Sequence, residues 1–190
     1  MSNQTQSSRR KFLQQMGLLA AATPFVNFAT AEKAEERMMN YDKNFSPNDK
    51  IRLAVIGFGI QGHEDLSTAL KVPGVELAAI CDLYTGRLDN ANEIYGKEIF
   101  TTKNYHEILD RSDVDAIILA TSDHWHARIT KEALKKGKAV YCEKPMVHKI
   151  SEGMGVIKAQ RSFNKIMQVG SQRVSSIVYA KARELYKLVK

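Results

Sequence analysis

The amino-acid sequence predicts an α/β fold built on a doubly wound parallel β-sheet, for three reasons. Six short apolar segments alternate with segments of helical character over residues 51–190. The apolar segments are rich in Val, Ile and Ala, which is typical of parallel strands buried on both faces. A glycine-rich turn follows the first of these segments directly. Alternating strands and helices imply right-handed crossovers, and six such strands predict the sheet order 3-2-1-4-5-6.

The first three strands and helices are bounded by residues that interrupt regular structure. Gly57 ends the first strand, Pro73-Gly74 ends the helix that follows, and Gly96 closes the next helix, because glycine and proline are disfavoured inside helices. The predicted strands cover residues 51–56, 75–81 and 98–100, and the predicted helices cover residues 60–71, 86–95 and 105–111.

The second half of the sheet begins with the clearest strand, because residues 114–120 hold a single charged side chain among apolar ones. Gly137 is expected to cap the following helix, since glycine tolerates the left-handed backbone that ends many helices. The predicted strands cover residues 114–120, 138–142 and 166–169, and the predicted helices cover residues 124–136, 151–161 and 174–190.

Composition indicates an ordinary globular chain with room for one sizeable domain and a tail. Of its 190 residues, 44% are hydrophobic and 26% are charged, which excludes a fully disordered, collagen-like or coiled-coil protein. The net charge of +7 includes Arg9, Arg10 and Lys11 near the N-terminus, and the remainder is spread along the chain. A nucleic-acid-binding surface needs clustered positive charge, so we expect no nucleic-acid partner.

Residues 1–31 have the pattern of a twin-arginine export signal. Arg9 and Arg10 precede a short apolar run that is broken by Pro24, and small residues in an A-x-A arrangement end at Ala31. The run is too short to span a bilayer, which takes about 20 apolar residues. We therefore expect cleavage after Ala31, a periplasmic location and no stable membrane span after cleavage. The alternative is an amphipathic helix that stays attached.

The glycine-rich turn predicts a dinucleotide site. Gly57-Phe58-Gly59-Ile60-Gln61-Gly62 fits the G-x-G-x-x-G pattern between a strand and a helix, which is the context that supports it. The first glycine allows the tight turn, the second lets a pyrophosphate approach the backbone, and the third lets the helix pack closely. The N–H groups that begin the helix would then face the phosphates. The alternative is a plain strand-to-helix turn.

Asp82 follows the second strand at the position from which a carboxylate can accept hydrogen bonds from the adenosine ribose. The same carboxylate would repel a 2′-phosphate, which favours NAD over NADP. Asp82 could also act as the N-cap of the next helix. Arg87 could reach a phosphate or stack on adenine, although a solvated helix surface is the favoured interpretation for that side chain.

Several further segments, together with the glycine turn and the C-D pair at 81–82, resemble the Gfo/Idh/MocA oxidoreductases, whose N-terminal domain is Rossmann-like. They are A-T-S-D-H-W-H-A at 120–127, A-L-K-K-G-K-A-V-Y-C-E-K-P at 133–145 and V-G-S-Q-R at 169–173. The resemblance runs from about Lys50 to the end of the chain. It implies hydride transfer between a nicotinamide cofactor and a hydroxyl group of a sugar or cyclitol. The D-H-W-H-A form is similar to exported members, which include sugar dehydrogenases and NAD-dependent glycosidases.

The resemblance also implies roles for residues of the E-K-P triplet. Lys144 would reach the nicotinamide and the reacting hydroxyl, where an ammonium stabilises a developing alkoxide or an amine acts as a base. Glu143 would orient Lys144 or contact the cofactor ribose. Gln172, after the sixth strand, would line the same crevice. The alternative for Glu143 and Lys144 is a surface ion pair at a strand end.

Residues after the fourth strand complete the expected site. Thr121 and Ser122 would lie beside the cofactor crevice, and Ser122 could cap the next helix, although the family usually has proline there. The resemblance places His126 near the ribose or nicotinamide, with a catalytic role. His124 and His126 lack a clear third ligand, so we expect no metal site.

The resemblance predicts a domain organisation and leaves three functions open. Residues 32–50 form a linker, residues 51–173 an NAD(P)-binding domain, and residues 174–190 the start of a second α/β domain that completes the site and builds the oligomer in full-length members. The leading interpretation is the cofactor-binding domain of an oxidoreductase with a small carbohydrate substrate. The alternatives are an NAD-dependent glycosidase that uses transient oxidation and elimination, and a non-catalytic nucleotide-binding fragment.

Changing both Arg9 and Arg10 to Lys tests the export signal, because the twin-arginine receptor recognises the arginine pair itself rather than its charge. We expect the variant to accumulate as a folded, uncleaved precursor in the cytoplasm, while the unchanged chain reaches the periplasm. Cell fractionation and immunoblotting measure the two pools. Normal export and cleavage of the variant would indicate a general secretory signal instead.

Overall fold

The computed structural model describes residues 50–188, in which six parallel strands form one sheet. The strands are β1 (Ile51–Ile56), β2 (Val75–Cys81), β3 (Phe100–Thr102), β4 (Ala116–Leu119), β5 (Ala139–Glu143) and β6 (Met167–Gly170). Their order is β3-β2-β1-β4-β5-β6, which confirms the predicted doubly wound topology. The predicted signal peptide and the linker up to residue 49 lie outside the described residues, so export stays a prediction.

Six helices connect or follow these strands. They are α1 (Ile60–Ala69), α2 (Thr85–Tyr95), α3 (Tyr105–Asp110), α4 (His126–Lys135), α5 (Ile150–Phe163) and α6 (Ile177–Leu188), with 3₁₀ turns at Asp123–Trp125 and Gln172–Ser175. Within residues 50–188, none of the helices is both long and apolar enough to cross a membrane.

Both faces of the sheet are covered by helices, as the uninterrupted apolar character of the strands requires. Leu53 and Val55 of β1 belong to a cluster that includes buried side chains of α1 and α2. Ala54 and Ile56 belong to a second cluster that includes buried side chains of α3 and α4. Successive residues of a strand point to opposite faces, so β1 divides the core into these two layers. A shift in the register with β2 falls between Leu53 and Ala54.

The predicted cap at Gly137 is confirmed. Gly137 has a φ of 81°, its N–H donates to the Leu134 carbonyl at 3.0 Å, and the Lys138 N–H donates to the Ala133 carbonyl at 3.0 Å. This hydrogen-bond pair is the Schellman motif, which satisfies carbonyl groups at the end of α4.

Several predicted boundaries differ from the observed ones, and at three elements the local hydrogen bonds or turns explain the difference. Strand β3 begins at Phe100 rather than residue 98 because the Ile99 N–H donates to the Gly96 carbonyl and closes a turn there. Helix α4 begins at His126, two residues after its predicted start, because a 3₁₀ turn precedes it. Helix α6 begins at Ile177 instead of residue 174 for the same reason. No described residue of α6 is buried, although the helix carries several large apolar side chains.

Candidate active site

The residues predicted to form the site lie along one edge of the sheet. All five strand pairs are parallel, so the carboxyl ends of the strands share an edge, and ligands bind there where the strand order reverses. The glycine turn follows β1, Asp82 follows β2, Thr121 follows β4, Glu143 ends β5 and Gln172 follows β6. The order reverses between β1 and β4.

Two glycines allow the chain to pack tightly at this reversal. Gly57 has a φ of 94°, and a Cβ atom there would lie 2.6 Å from the Ala120 carbonyl oxygen at the end of β4. A Cβ atom on Gly62 would collide with the carbonyl oxygen of Gly57. Side chains are therefore excluded at both positions by the packing of the protein itself.

Gly59 differs, because its surroundings leave space for a ligand. Its φ of −82° suits any residue, and a Cβ atom there would meet only the Arg87 guanidinium, at 3.7 Å. Gly59 is the N-cap of α1, and the first turn contains no acidic residue. The N–H groups of that turn have no acceptor within the helix, and the exposed residues Ile60 and Gln61 stand beside them. A backbone cradle, free N–H groups and a nearby cation fit the diphosphate of a dinucleotide.

Asp82 is buried and already holds the glycine turn in place. Its Oδ2 accepts the Phe58 N–H at 2.8 Å and its Oδ1 accepts the Tyr84 N–H at 2.9 Å. Phe58 itself contributes only its backbone to the turn, because its side chain is buried in the core. Asp82 is not the helix N-cap proposed as an alternative, since Tyr84 occupies that position before α2. Contact between Asp82 and a ribose stays a prediction.

Arg87 pairs with Asp82 instead of extending into solvent. Its Nη1 lies 3.2 Å from Asp82 Oδ2, and its side chain is 51% exposed. The guanidinium therefore offsets the negative charge that was expected to repel a 2′-phosphate. For this reason the preference for NAD over NADP stays a prediction.

His126 is buried and contacts the backbone on both sides of its ring. Its exposure is 1%. Nδ1 lies 2.7 Å from the Pro145 carbonyl oxygen and Nε2 lies 3.0 Å from the Thr121 carbonyl oxygen. The ring thus connects the end of β4 to the loop after β5. The catalytic role and the cofactor contact expected for His126 stay predictions, but its position here is that of a brace between two loops.

The β4–α4 loop differs in one detail from expectation. Ser122 precedes the 3₁₀ turn, but its side chain makes no capping hydrogen bond, so the expected cap is wrong. Its carbonyl oxygen instead accepts the Trp125 N–H at 3.0 Å. Thr121 is half-buried, and its hydroxyl donates to the Ser122 carbonyl at 3.3 Å. Trp125 packs edge-on against Tyr105 with 6.2 Å between ring centroids.

His124 and His126 do not converge. His124 is exposed, whereas His126 is buried. The neighbouring Asp123 pairs with His148 at 3.0 Å, and the hydrogen bond from His148 lowers the pKa of Asp123. Over residues 50–188, no group of three or more His, Cys, Asp or Glu side chains could hold a metal ion.

Glu143 and Lys144 occupy the end of β5 with opposite exposures. Glu143 is 4% exposed, and its Oε2 accepts the backbone N–H of Lys144 at 3.2 Å. Gln172 donates its side-chain amide to Glu143 Oε1. The Lys144 side chain is exposed, and its ammonium group has no ion pair or hydrogen bond within residues 50–188. The surface ion pair considered for these two residues is therefore not formed.

Sequence reasoning missed two side chains beside Glu143. The Tyr141 hydroxyl lies 3.5 Å from Glu143 Oε1. In addition to burial, Asp65 of α1 raises the pKa of Tyr141, and Glu143 raises the pKa of Asp65. One signal was available, because Asp65 lies four residues after Gln61 and therefore on the helix face that begins at the glycine turn.

Comparison with known families decides the assignment. The model of the Gfo/Idh/MocA family, an oxidoreductase family with an NAD-binding Rossmann fold, matches residues 51–171. The chain belongs to the Gfo/Idh/MocA oxidoreductase family.

Individual proteins are similar to the chain over much of its length. The chain is 32% identical over 125 residues to inositol 2-dehydrogenase of Salmonella typhimurium, covering 65% of this chain and 37% of that protein. It is 27% identical over 193 residues to glycosyl hydrolase family 109 protein 1 of Akkermansia muciniphila, covering 84% and 40%. The crystal structure of myo-inositol 2-dehydrogenase from Lactobacillus plantarum matches with a TM-score of 0.67 and 31% identity, covering 73% and 41%. This member of the Gfo/Idh/MocA family thus spans 37–41% of the length of these relatives.

Substitution of the second and third glycines should separate binding from folding. The Cβ atom of Gly59→Val enters the cradle without a backbone clash, so we expect a loss of NADH binding with a fall in the free energy of unfolding of at most about 1 kcal/mol, the usual effect of an apolar N-cap. Gly62→Ala forces a collision with the Gly57 carbonyl and should lower the free energy of unfolding by about 1–3 kcal/mol, as overpacking does. NADH fluorescence titration and urea unfolding measure the two effects. Equal NADH affinity in Gly59→Val and the unchanged chain would refute the cradle.

His126→Ala should destabilise the protein, because it opens a cavity and removes the ring that contacts the carbonyl oxygens of Pro145 and Thr121. We expect the free energy of unfolding to fall by about 2–4 kcal/mol. His124→Ala is the matched control, since this exposed histidine is two residues away and its loss should cost at most about 0.5 kcal/mol. Urea unfolding of both variants gives the comparison, and equal stabilities would contradict the bracing role.

Proposed function

We propose that this chain is the cofactor-binding part of a nicotinamide-dependent oxidoreductase that acts on a hydroxyl group of a sugar or cyclitol, with NAD as the preferred cofactor. The observation that carries the proposal is the position of Lys144. Its backbone is held by the buried Glu143, and its unpaired ammonium group is exposed at the sheet edge that also holds the glycine cradle. Relatives that are named inositol 2-dehydrogenases support a cyclitol or sugar substrate.

Cofactor binding and proton transfer are carried out by different residues of the chain. Gly59 and the first turn of α1 bind the diphosphate, with Arg87 beside them. Asp82 has about four acceptor positions on its carboxylate, of which Phe58, Tyr84 and Arg87 use three. The remaining position accepts a ribose hydroxyl.

Lys144 handles the proton of the reacting hydroxyl group. When bound, the nicotinamide supplies the acceptor or donor of a hydride. In oxidation, the amine form of Lys144 takes the proton from the substrate hydroxyl while the C–H bond on the carbon that bears this hydroxyl is broken. In reduction, the ammonium form donates that proton to the carbonyl oxygen. Glu143 keeps the backbone of Lys144 in place throughout.

A glycosidase that uses the same cofactor is the second candidate. The alignment with a glycosyl hydrolase family 109 protein covers 84% of this chain, which favours this alternative. In that chemistry oxidation is transient, so no net NADH accumulates. An oxidoreductase, by contrast, produces NADH in proportion to its product. Cofactor binding without any turnover would indicate a non-catalytic nucleotide-binding fragment.

Lys144→Ala tests the role of the lysine in the chain extended by the second α/β domain that the family resemblance implies. We expect nearly unchanged NAD affinity, because the diphosphate and ribose contacts lie at β1 and β2. Turnover should fall by about 100-fold to 10,000-fold, the usual contribution of one positioned acid–base group. NADH formation measured at 340 nm, a wavelength set by the reduced nicotinamide, reports the rate.

Lys97→Ala is the control, because Lys97 is exposed in the turn before β3 and lies at the opposite edge of the sheet. Its turnover should match that of the unchanged protein. Full activity of the Lys144→Ala variant would remove the lysine from the mechanism. Residues 1–190 alone should bind NADH with little turnover, because water reaches the open nicotinamide face.

A further inference from the structure

Asp65 is a polar side chain that the proposed function does not use. It lies on α1, where the Gln61 side-chain amide donates to its Oδ1 at 2.9 Å. The other oxygen, Oδ2, is buried and has no hydrogen-bond partner. A buried carboxylate oxygen without a donor is costly, so the state of Asp65 needs a physical explanation.

Asp65 shares its surroundings with Glu143. Both Glu143 and Gln172 lie close enough to act on the titration of Asp65, whose pKa is raised by burial and by Glu143 and lowered by Gln172. Glu143 in turn accepts the amide of Gln172, the hydroxyl of Tyr141 at 3.5 Å and the backbone N–H of Lys144 at 3.2 Å. We call Asp65, Tyr141, Glu143 and Gln172 the carboxyl cluster.

The donors around the carboxyl cluster leave one oxygen without a partner. The Gln61 amide goes to Asp65 Oδ1, and the three donors named above go to Glu143. No donor reaches Asp65 Oδ2 within the described chain. The oxygen that lacks an external donor is the one that can carry a proton and act as a donor itself.

Charge favours the same proton position. The titratable groups that face Asp65 are Glu143 and Tyr141 from β5, while Gln61 on α1 and Gln172 after β6 are neutral. Burial and the negative Glu143 raise the pKa of Asp65. Burial and both carboxyl groups raise the pKa of Tyr141 to about 12, so its hydroxyl stays neutral. Two adjacent carboxyl groups without a cation between them favour a shared proton.

We propose that Asp65 Oδ2 carries a proton that it shares with the Glu143 carboxylate, and that this pair positions the backbone of Lys144. The proton on Oδ2 supplies the missing donor. Glu143 keeps one negative charge, with which it accepts the Lys144 N–H. Asp65 is therefore a positioning residue that acts on Lys144 through Glu143. The positioning itself does not depend on the proposed function, whereas its use in catalysis rests on that function.

The proton should make stability depend on pH in a defined direction. The pKa of Asp65 in the folded chain lies above its ordinary value of 3.8, so the folded state binds the proton more tightly than the unfolded state. The resulting stabilisation is complete below pH 3.8 and is lost as the pH rises through the pKa of the folded state. Asparagine cannot lose a proton, so Asp65→Asn should remove this loss.

Urea unfolding of the 190-residue chain from acidic to mildly alkaline pH tests this dependence. We expect Asp65→Asn to gain stability relative to the unchanged chain as the pH rises, by about tenfold in the unfolding constant for each unit of pKa shift. Asp89→Asn is the matched control, because Asp89 is an exposed helical aspartate, and its profile should parallel that of the unchanged chain. Parallel profiles for Asp65→Asn and the unchanged chain would overturn the proposal.

Infrared spectroscopy of the unchanged chain detects the proton directly, even if a variant fails to fold. As the pH is raised from acid, the C=O stretch of one protonated carboxyl group should persist after the exposed aspartates have lost their protons, and this band should be absent in Asp65→Asn. In Glu143→Gln the band should titrate at lower pH, because the neighbouring charge is gone. Loss of the band together with the bands of the exposed aspartates, or an unchanged midpoint in Glu143→Gln, would overturn the shared proton.

The positioning of Lys144 has its own readout. In NMR spectra, the backbone amide resonance of Lys144 should titrate with the midpoint of the infrared band, whereas that of Lys97 should not. A Lys144 resonance that does not follow the band would overturn the positioning role. These measurements need no cofactor or substrate, so a failure of NADH binding would reject the proposed function and leave this inference intact.

Discussion

The close approach of the β1–α1 turn to the end of β4 constrains the whole carboxyl edge of the sheet. Gly57 has a φ of 94°, and a Cβ atom there would collide with the Ala120 carbonyl. A Cβ atom on Gly62 would collide with the carbonyl of Gly57 itself. These contacts determine where α1 begins and hence where its free N–H groups point. Gly59 lies between the two glycines and has neither a positive φ nor a close neighbour. The packing of the fold therefore does not require glycine at this position.

The loop after β5 is held by a different means, because polar side chains bind its backbone. His126 contacts the Pro145 carbonyl, and Glu143 accepts the Lys144 N–H. Both side chains are buried, so neither exchanges these contacts with water readily. The result is a fixed backbone with an exposed ammonium group at its tip, which is the arrangement that a positioned acid–base group requires.

The sequence was sufficient to predict the six strands, their order and the cap at Gly137, because these depend on local apolar periodicity and on glycine and proline at element ends. It misplaced β3, whose start depends on a turn at Gly96 and on pairing with β2. It also missed the Arg87–Asp82 pair and the place of Asp65 beside Glu143. These contacts join separate elements, so no local pattern reports them. The cofactor contact expected for His126 stays a prediction, and the contacts of its ring with two carbonyl groups appear only in the folded chain.

The two buried carboxylates at this edge are held in different ways. Asp82 accepts two backbone N–H groups and pairs with the Arg87 guanidinium, so the β1–β2 end combines a compensated carboxylate with the positive end of the α1 dipole. Glu143 accepts the Gln172 amide, the Tyr141 hydroxyl and the Lys144 N–H, and it pairs with no cation within residues 50–188. The Arg87 guanidinium is therefore tied to a carboxylate, whereas the ammonium group of Lys144 stays unpaired at the same edge because only the backbone of that residue is held by Glu143.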